Sequence, residues 1–274
     1  MKHTRRTFAA AIAVCTLVFT GALRAQETAK PFEPRVGQEG KDVIWVPTPQ
    51  VLVEKMLDMA KVTSADFVMD LGSGDGRNVI AAAKRGARAL GVEYNPEMVE
   101  LSKRNAEKEG VAEKAQFVQG DMFEADVSKA SVLALFLLTD NLDRLSPKFL
   151  TMKPGTRIVS NGFEITGWAH EEVQRSEGDC GSWCTAYLYL VPANVAGSWR
   201  LGKGELALEQ SAQMLSGTYT VRGKKTALNG RLRGDQISFT AGDSTYTGRV
   251  KGQTMEGRVK GMTSGAWSAT RSDL

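Results

Sequence analysis

Seven residues, Asp70-Leu71-Gly72-Ser73-Gly74-Asp75-Gly76, carry the sharpest chemical signal in the chain. An acid at the end of an apolar run, followed by glycines at alternate positions, lets the backbone turn tightly and approach a ligand closely. The carboxylate can accept hydrogen bonds or balance an ammonium group. Glycine-rich turns also cradle pyrophosphates, but there helix N-terminal amides face anionic charge, which Asp70 and Asp75 would oppose. The ligand expected here carries positive charge near the turn and no phosphate. Two further acids fall at matching places. Glu93, in Gly91-Val92-Glu93-Tyr94, ends a second apolar run, where a carboxylate can accept from both hydroxyls of a ribose. Asp121, in Gln119-Gly120-Asp121-Met122, follows a third run and is placed to accept from an adenine amino group, with Met122 on the ring. Any one of these acids reads equally well as a solvated strand-end carboxylate, but three in register at successive strand ends do not.

S-adenosylmethionine fits that description, and the candidate cofactor-binding residues are Thr48, Asp70, Gly72, Ser73, Gly74, Gly76, Glu93, Asp121 and Met122. Trp45 and Thr48 are placed to close over the methionine end of the cofactor, although packing of an N-terminal arm explains Trp45 equally well. Asp140, just beyond the fourth strand, is the candidate catalytic residue on the acceptor side. Its competing reading is a helix cap.

The elements that must position these residues alternate. Apolar spacing predicts helices over 50–60, 77–85, 96–109 and 141–152, with strands over 66–71, 87–94, 115–119, 131–138 and 156–160 and a late edge strand over 187–191. The uninterrupted apolar run 131–138 is expected of a central parallel strand buried on both faces. This order predicts an α/β fold with a Rossmann-like, doubly wound, mostly parallel sheet over 44–196. After Pro192 glycines recur between short alternating segments, with strand candidates at 217–223, 236–240, 246–250 and 265–270. Gly230-Arg-Leu-Arg-Gly234 is echoed at Gly248-Arg-Val-Lys-Gly252 and Gly257-Arg-Val-Lys-Gly261. Residues 197–274 are therefore expected to form a small antiparallel meander or partial barrel that governs acceptor choice, or else merely shields the main domain.

The segment running from Trp45-Val-Pro-Thr48-Pro through Asp70-Leu-Gly-Ser-Gly-Asp-Gly-Arg77, Val92-Glu93-Tyr-Asn-Pro96 and Gln119-Gly-Asp121 resembles class I S-adenosylmethionine-dependent methyltransferases. It is most similar to the branch related to the lysine methyltransferase of the ATP synthase c subunit, which Leu145-Ser-Pro147-Lys and Lys153-Pro-Gly-Thr156 also echo. The resemblance covers about 150 residues and implies S-adenosylmethionine as cofactor and a protein lysine as acceptor. Where bacterial relatives often have Pro-Glu after the fourth strand, this chain has Thr139-Asp140, so the acceptor is left open. The competing reading is a non-catalytic module of the cell envelope that keeps the cofactor fold. A nicotinamide-dependent oxidoreductase is disfavoured by Asp75 and by the spacing.

Composition bounds the rest. Residues 1–25 combine Lys2, Arg5 and Arg6 with an uncharged run ending near Ala25, as in an export signal, and Thr4-Arg5-Arg6-Thr7-Phe8 is similar to a twin-arginine signal. The expected destination is the periplasm, with 26–43 an extended arm and no membrane span in the mature chain. Without residues 1–25 the chain holds 31 basic and 31 acidic residues, a balance that does not suggest nucleic acid. Residues 26–196 hold 19 basic and 25 acidic residues, whereas 197–274 hold 12 and 6. Cys180 and Cys184 are equally readable as a disulfide or as two free thiols. With His170 the only histidine of the mature chain, no metal site is expected.

Overall fold

The computed structural model describes residues 32–262 and 264–272, so the expected signal at 1–25 and the start of the arm lie outside the described residues. The elements of the first unit are α1 (Gln50–Met59), β1 (Phe67–Leu71), α2 (Arg77–Lys84), β2 (Arg88–Glu93), α3 (Pro96–Lys108), β3 (Ala115–Gln119), β4 (Val132–Leu135), α4 (Thr139–Phe149), β5 (Arg157–Asn161), β6 (Glu172–Arg175) and β7 (Thr185–Leu190). They form one sheet in the order β3-β2-β1-β4-β5-β7-β6. The first five strands run parallel, and β7 and β6 are antiparallel additions.

Strand alternation builds two cores. Val68, Val132, Ala134 and Val159 face α1, α2 and α3. Met69, Leu71, Leu133, Leu135 and Ile158 face Leu142, Leu145 and Phe149 of α4. This is the two-sided burial that continuous apolar strands require. Ala81, Ala82 and Ala83 let α2 lie close on the sheet. Asn95 caps α3 by accepting from the backbone of Glu97 at 2.8 Å, and Pro96 occupies the first helical position.

Two features of the sheet differ from expectation. The fourth strand stops at Leu135, so Phe136 and Leu137 leave the sheet, and α4 begins at Thr139. The segment expected at the edge, β7, is covered by β6, whose Glu-Val-Gln-Arg sequence is mostly exposed and shows no buried alternation. Cys180 and Cys184 form a disulfide.

The second unit is a closed barrel, beyond the meander or partial barrel expected. Its strands are β8 (Gly197–Leu201), β9 (Gly204–Ser211), β10 (Met214–Val221), β11 (Lys224–Arg233), β12 (Gln236–Ala241), β13 (Ser244–Lys251), β14 (Thr254–Lys260) and β15 (Gly265–Arg271). Each pairs antiparallel with the next, and β15 returns to β8 to close the ring. Two-residue turns led by a positive-φ residue, such as Gly234, Gly242 and Gly252, join most of the hairpins. The repeated Gly-Arg-Val-Lys-Gly pattern thus has two roles. Its first glycine lies in a strand and faces the interior, and the last opens a turn or, at Gly261, the short link to β15. Gly248 and Gly257 pair directly across β13 and β14, Gly257 also pairs with Trp267, and a Cβ on Gly248 would meet the Trp267 ring at 2.9 Å. The missing side chains make room for the large ring in a narrow core, where it joins Phe239 and Tyr246.

The barrel meets the first unit at the amino ends of β5 and β6. Gly234 lies against Gly155, Glu171 accepts from Arg231 and Arg233 at 2.9 and 3.0 Å, and Gln213 donates to the Ala169 carbonyl at 2.6 Å. These contacts lie at the end of the sheet opposite the glycine-rich turn and favour the shielding reading over a role in acceptor choice. Among the described residues no helix is long and apolar enough to cross a membrane.

A Cβ added at Gly257 would stand 1.9 Å from the Thr247 carbonyl oxygen, which is backbone and cannot swing aside. Gly257→Ala is therefore expected to part β13 from β14 and destabilise the protein by about 2 kcal/mol or more. Urea unfolding followed by tryptophan fluorescence checks this, and an unchanged midpoint would contradict the close glycine packing.

Candidate cofactor cleft

β1 carries Asp70 to its carboxyl end, and the chain then turns through Gly72, Gly74 and Gly76, all at positive φ, before α2 begins. The amides of Gly72 and Ser73 donate to the Val92 carbonyl at 2.7 and 3.1 Å, tying the turn to the end of β2. At Gly74 the requirement is also steric, since a Cβ would meet the Trp45 indole nitrogen at 2.6 Å.

The turn borders a cleft that is also lined by the arm and by the ends of β2 and β4. All the expected cofactor residues line it except Gly76, which is the residue before α2. The cleft sits at the carboxyl ends of the strands, where β1 has β2 on one side and β4 on the other, the reversal point at which open α/β sheets bind ligands.

Glu93 is clamped from two sides. Its Oε2 accepts from the Gly74 amide and its Oε1 from the Asn95 amide, each at 2.9 Å. Each oxygen keeps a lone pair for a further donor, so a fixed carboxylate is presented to the cleft. Asp70 is buried, with Asn78 Nδ2 donating to its Oδ2 at 3.1 Å. Burial pushes the Asp70 carboxyl up to about 7; the Asn78 hydrogen bond opposes the rise and the charges of Glu93 and Asp75 add to it. Asp75 is gripped by Arg77, whose Nη1 also donates to the Thr48 carbonyl at 2.6 Å. Thr48 is buried, and its hydroxyl accepts from Asn161 Nδ2 at 3.4 Å.

Asp121 is engaged from two directions, by the ammonium of Lys41 and by the Phe123 amide at 2.9 Å. Together these hold its carboxyl below the usual range, Lys41 being the larger influence. The Lys41 ammonium also lies 5.1 Å from the centre of the Tyr94 ring. The arm therefore forms one wall of the cleft: Gln38 to Pro47 contribute to its lining, Trp45 stands over Gly74, and Asn141 of α4 donates to the Asp42 carbonyl at 3.4 Å. Met122 is buried in the hydrophobic cluster between the sheet and α4. Asp140 is exposed in the first turn of α4, outside the cleft lining, and the residue before that helix is Leu138 with no side-chain cap. Its charge suits the positive end of the helix.

Sequence reasoning missed Asn78, Lys41, Arg77 and Phe136. Asn78 was legible in principle, since it opens the helix after the glycine turn two residues beyond Gly76. Lys41 reaches Asp121 across 80 positions of sequence and left no local signal. Among the described residues, the Ser73 hydroxyl and Asn78 Oδ1 are buried without a hydrogen-bond partner, and both residues line the cleft. Orphaned polar atoms beside two anchored acids suit a ligand with hydroxyl, amino and ammonium groups. No cluster of metal-ligating residues occurs among the described residues.

A Rossmann-like sheet with an acid-flanked glycine turn and a clamped carboxylate ending its second strand fits the S-adenosylmethionine-binding methyltransferase class. Comparison with known proteins agrees: the ANTKMT methyltransferase domain matches residues 70–172. The chain is 47% identical over 152 residues to a protein-lysine N-methyltransferase of Saccharolobus islandicus (strain REY15A), covering 54% of this chain and 94% of that protein. It is 32% identical over 168 residues to the Homo sapiens lysine N-methyltransferase of the ATP synthase c subunit, covering 61% of this chain and 65% of that protein. Among solved structures, an RNA methyltransferase from Salinibacter ruber in complex with S-adenosyl-L-homocysteine matches with a TM-score of 0.51 and 41% identity, covering 55% of this chain and 96% of that one. The chain belongs to this family of S-adenosylmethionine-dependent methyltransferases.

The raised Asp70 carboxyl has a consequence for stability. Folding lifts this carboxyl from its ordinary value near 3.8 to about 7, so the native state holds a proton that the unfolded chain has already released. Stability from this group is full at low pH and falls as pH rises between those values, by about 2–3 kcal/mol from pH 5 to pH 8 in the ligand-free protein. Asp70→Asn removes that loss, so the variant's advantage in thermal melting is expected to widen from pH 5 to pH 8. A constant difference across that interval would show that the wild-type carboxyl titrates normally.

Proposed function

We propose that this methyltransferase modifies a lysine side chain of a protein. The observation that carries the reading is the 47% identity to a protein-lysine N-methyltransferase across nearly all of that protein. The Salinibacter ruber protein is an RNA methyltransferase, but residues 26–196 of this chain hold 25 acids against 19 bases. A domain of that charge repels a polyanion.

In this reading Asp70 balances the cofactor's ammonium group, Glu93 accepts from the ribose hydroxyls, and Gly72, Ser73, Gly74 and Gly76 shape the close approach of the backbone. Asp121 and Met122 border the adenine end, and Thr48 helps close the methionine end. S-adenosylmethionine supplies a sulfonium-bound methyl group: the amine lone pair forms the nitrogen–carbon bond as the carbon–sulfur bond breaks, its electron pair staying on sulfur. The acceptor ammonium must first release a proton to water. What the protein contributes is alignment and exclusion of water, which support an in-line displacement without a strong base.

Two measurements test this. Incubating the protein with isotopically labelled S-adenosylmethionine and lysine-containing proteins is expected to place label on lysine, read by mass spectrometry of peptides; label on RNA alone would overturn the acceptor assignment. Glu93→Ala removes a charge-assisted acceptor and is expected to weaken S-adenosylhomocysteine binding roughly tenfold or more in calorimetry.

We also propose that the protein is exported. The basic start and apolar run of residues 1–25 support this, as does the Cys180–Cys184 bridge, because disulfides persist in oxidising compartments. N-terminal sequencing of protein from fractionated cells tests it, and an intact Met1 in the cytoplasm would refute it.

A further inference from the structure

Three half-buried aromatic rings stand together at the carboxyl edge of the sheet, and the cofactor residues leave them unused. Phe136 follows β4 and lines the cleft. Phe163 follows β5, and Trp183 precedes β7, whose antiparallel course brings its start to the same edge. Ring centres lie 5.1 Å apart for Phe136 and Trp183, 5.5 Å for Phe163 and Trp183, and 6.2 Å for Phe136 and Phe163. Gly162 sits at φ +71°, and a Cβ there would meet the Trp183 ring at 3.1 Å, so the close approach of the ring depends on glycine.

The loop that presents Trp183 has little else to hold it. Residues 177–179, 181 and 182 are exposed, and Gly178 and Gly181 both take positive φ. Its anchors are the buried Cys180–Cys184 disulfide, the Trp183 amide donating to the Cys180 carbonyl at 3.0 Å, and the Ser176 amide donating to the Cys184 carbonyl at 2.8 Å. Without the crosslink a short, glycine-containing segment would carry a large ring on a few local backbone hydrogen bonds.

We propose that Phe136, Phe163 and Trp183 line the entry for the acceptor's alkylammonium side chain, and that the Cys180–Cys184 bridge positions Trp183 there. Acceptor binding then requires the oxidised bridge, whereas cofactor binding does not. The proposal rests on the protein-lysine reading. Its physical basis is the division of the sheet: Asp70 and Glu93 lie at the carboxyl ends of β1 and β2 and Asp121 follows β3, while the three rings follow β4 and β5 or precede β7, on the other side of the strand reversal. Aromatic faces attract an alkylammonium head, and the hydrocarbon stem of a lysine packs on the same surfaces. Phe136 borders both regions, which brings an amine held by the rings to the cofactor's edge of the cleft.

The test uses the full chain and poly-L-lysine as acceptor. Trp183→Leu, the double variant Cys180→Ser/Cys184→Ser, and reduced wild type are each expected to raise KM for poly-L-lysine about tenfold, as loss of a partly desolvated cation–π contact implies. Each should bind S-adenosylhomocysteine within about twofold of oxidised wild type, and Trp183→Phe should restore most of the lost acceptor affinity. Unchanged KM, or an equal loss of S-adenosylhomocysteine binding, would overturn the proposal. If wild type methylates no lysine, the protein-lysine reading fails separately. A fluorescence titration with n-butylammonium then decides the ring site: saturable binding lost in Trp183→Leu supports it, and equal responses in both proteins overturn it.

Discussion

A carboxylate sealed at the carboxyl end of β1, with one neutral donor beside it, constrains everything around the cleft. Asp70 is costly to ionise where it stands, and the nearby charges of Glu93 and Asp75 add to the cost. Its side-chain partner, Asn78, can reach it because α2 begins immediately after the glycine turn and lies flat on the sheet through its alanines. The same turn delivers the Gly74 amide to Glu93, so the two acids are positioned by one short stretch of backbone. Asp121 has Lys41 and Asp75 has Arg77, but Asp70 and Glu93 face the cleft with neutral donors only, and a cationic ligand suits them.

The sheet divides this chemistry in space. Strands β1, β2 and β3 end in the acids, while β4 and β5 give way to aromatic residues, and the arm crosses the opening with Lys41 and Trp45. Sheet, turn and arm are therefore enough to form the cleft, and among the described residues the barrel adds none to its lining. What the barrel meets is the amino end of β6, where Arg231 and Arg233 pair with Glu171, and the strand itself stays mostly exposed.

Much of the cofactor half was legible in sequence because its logic is local. Asp70 and the three glycines lie within seven residues, and Glu93 and Asp121 mark the ends of apolar runs that periodicity detects. Contacts spanning long sequence separations were not legible. Lys41 on Asp121 and Phe136 beside Trp183 are brought together only by the finished topology. The pairing of Cys180 with Cys184 stood as an even choice because spacing alone does not fix the approach of two side chains. In the barrel, β8, β9, β11 and β14 are not among the strand candidates of the sequence: in β9, Gly204–Ser211 mixes Leu, Ala and Glu, which are good helix formers, and only the period-two burial of Leu206 and Leu208 marks a strand. Ring closure is invisible locally, since it depends on β15 finding β8 across the length of the unit.

That closure pattern also shapes how the chain reaches its folded form. Seven of the eight barrel pairings join strands adjacent in sequence through short connections, so they can form quickly with little loop entropy to overcome. The eighth joins Leu201 to Ala269 and must wait until nearly the whole unit has been made. The sheet has a comparable delay, because β1 pairs with β4 only after β2 and β3 have emerged between them. During synthesis the cofactor-binding unit therefore has all its strands before the barrel seam exists. β15 completes a separate ring, so a failure to close it comes after the strands of the cleft have all been made.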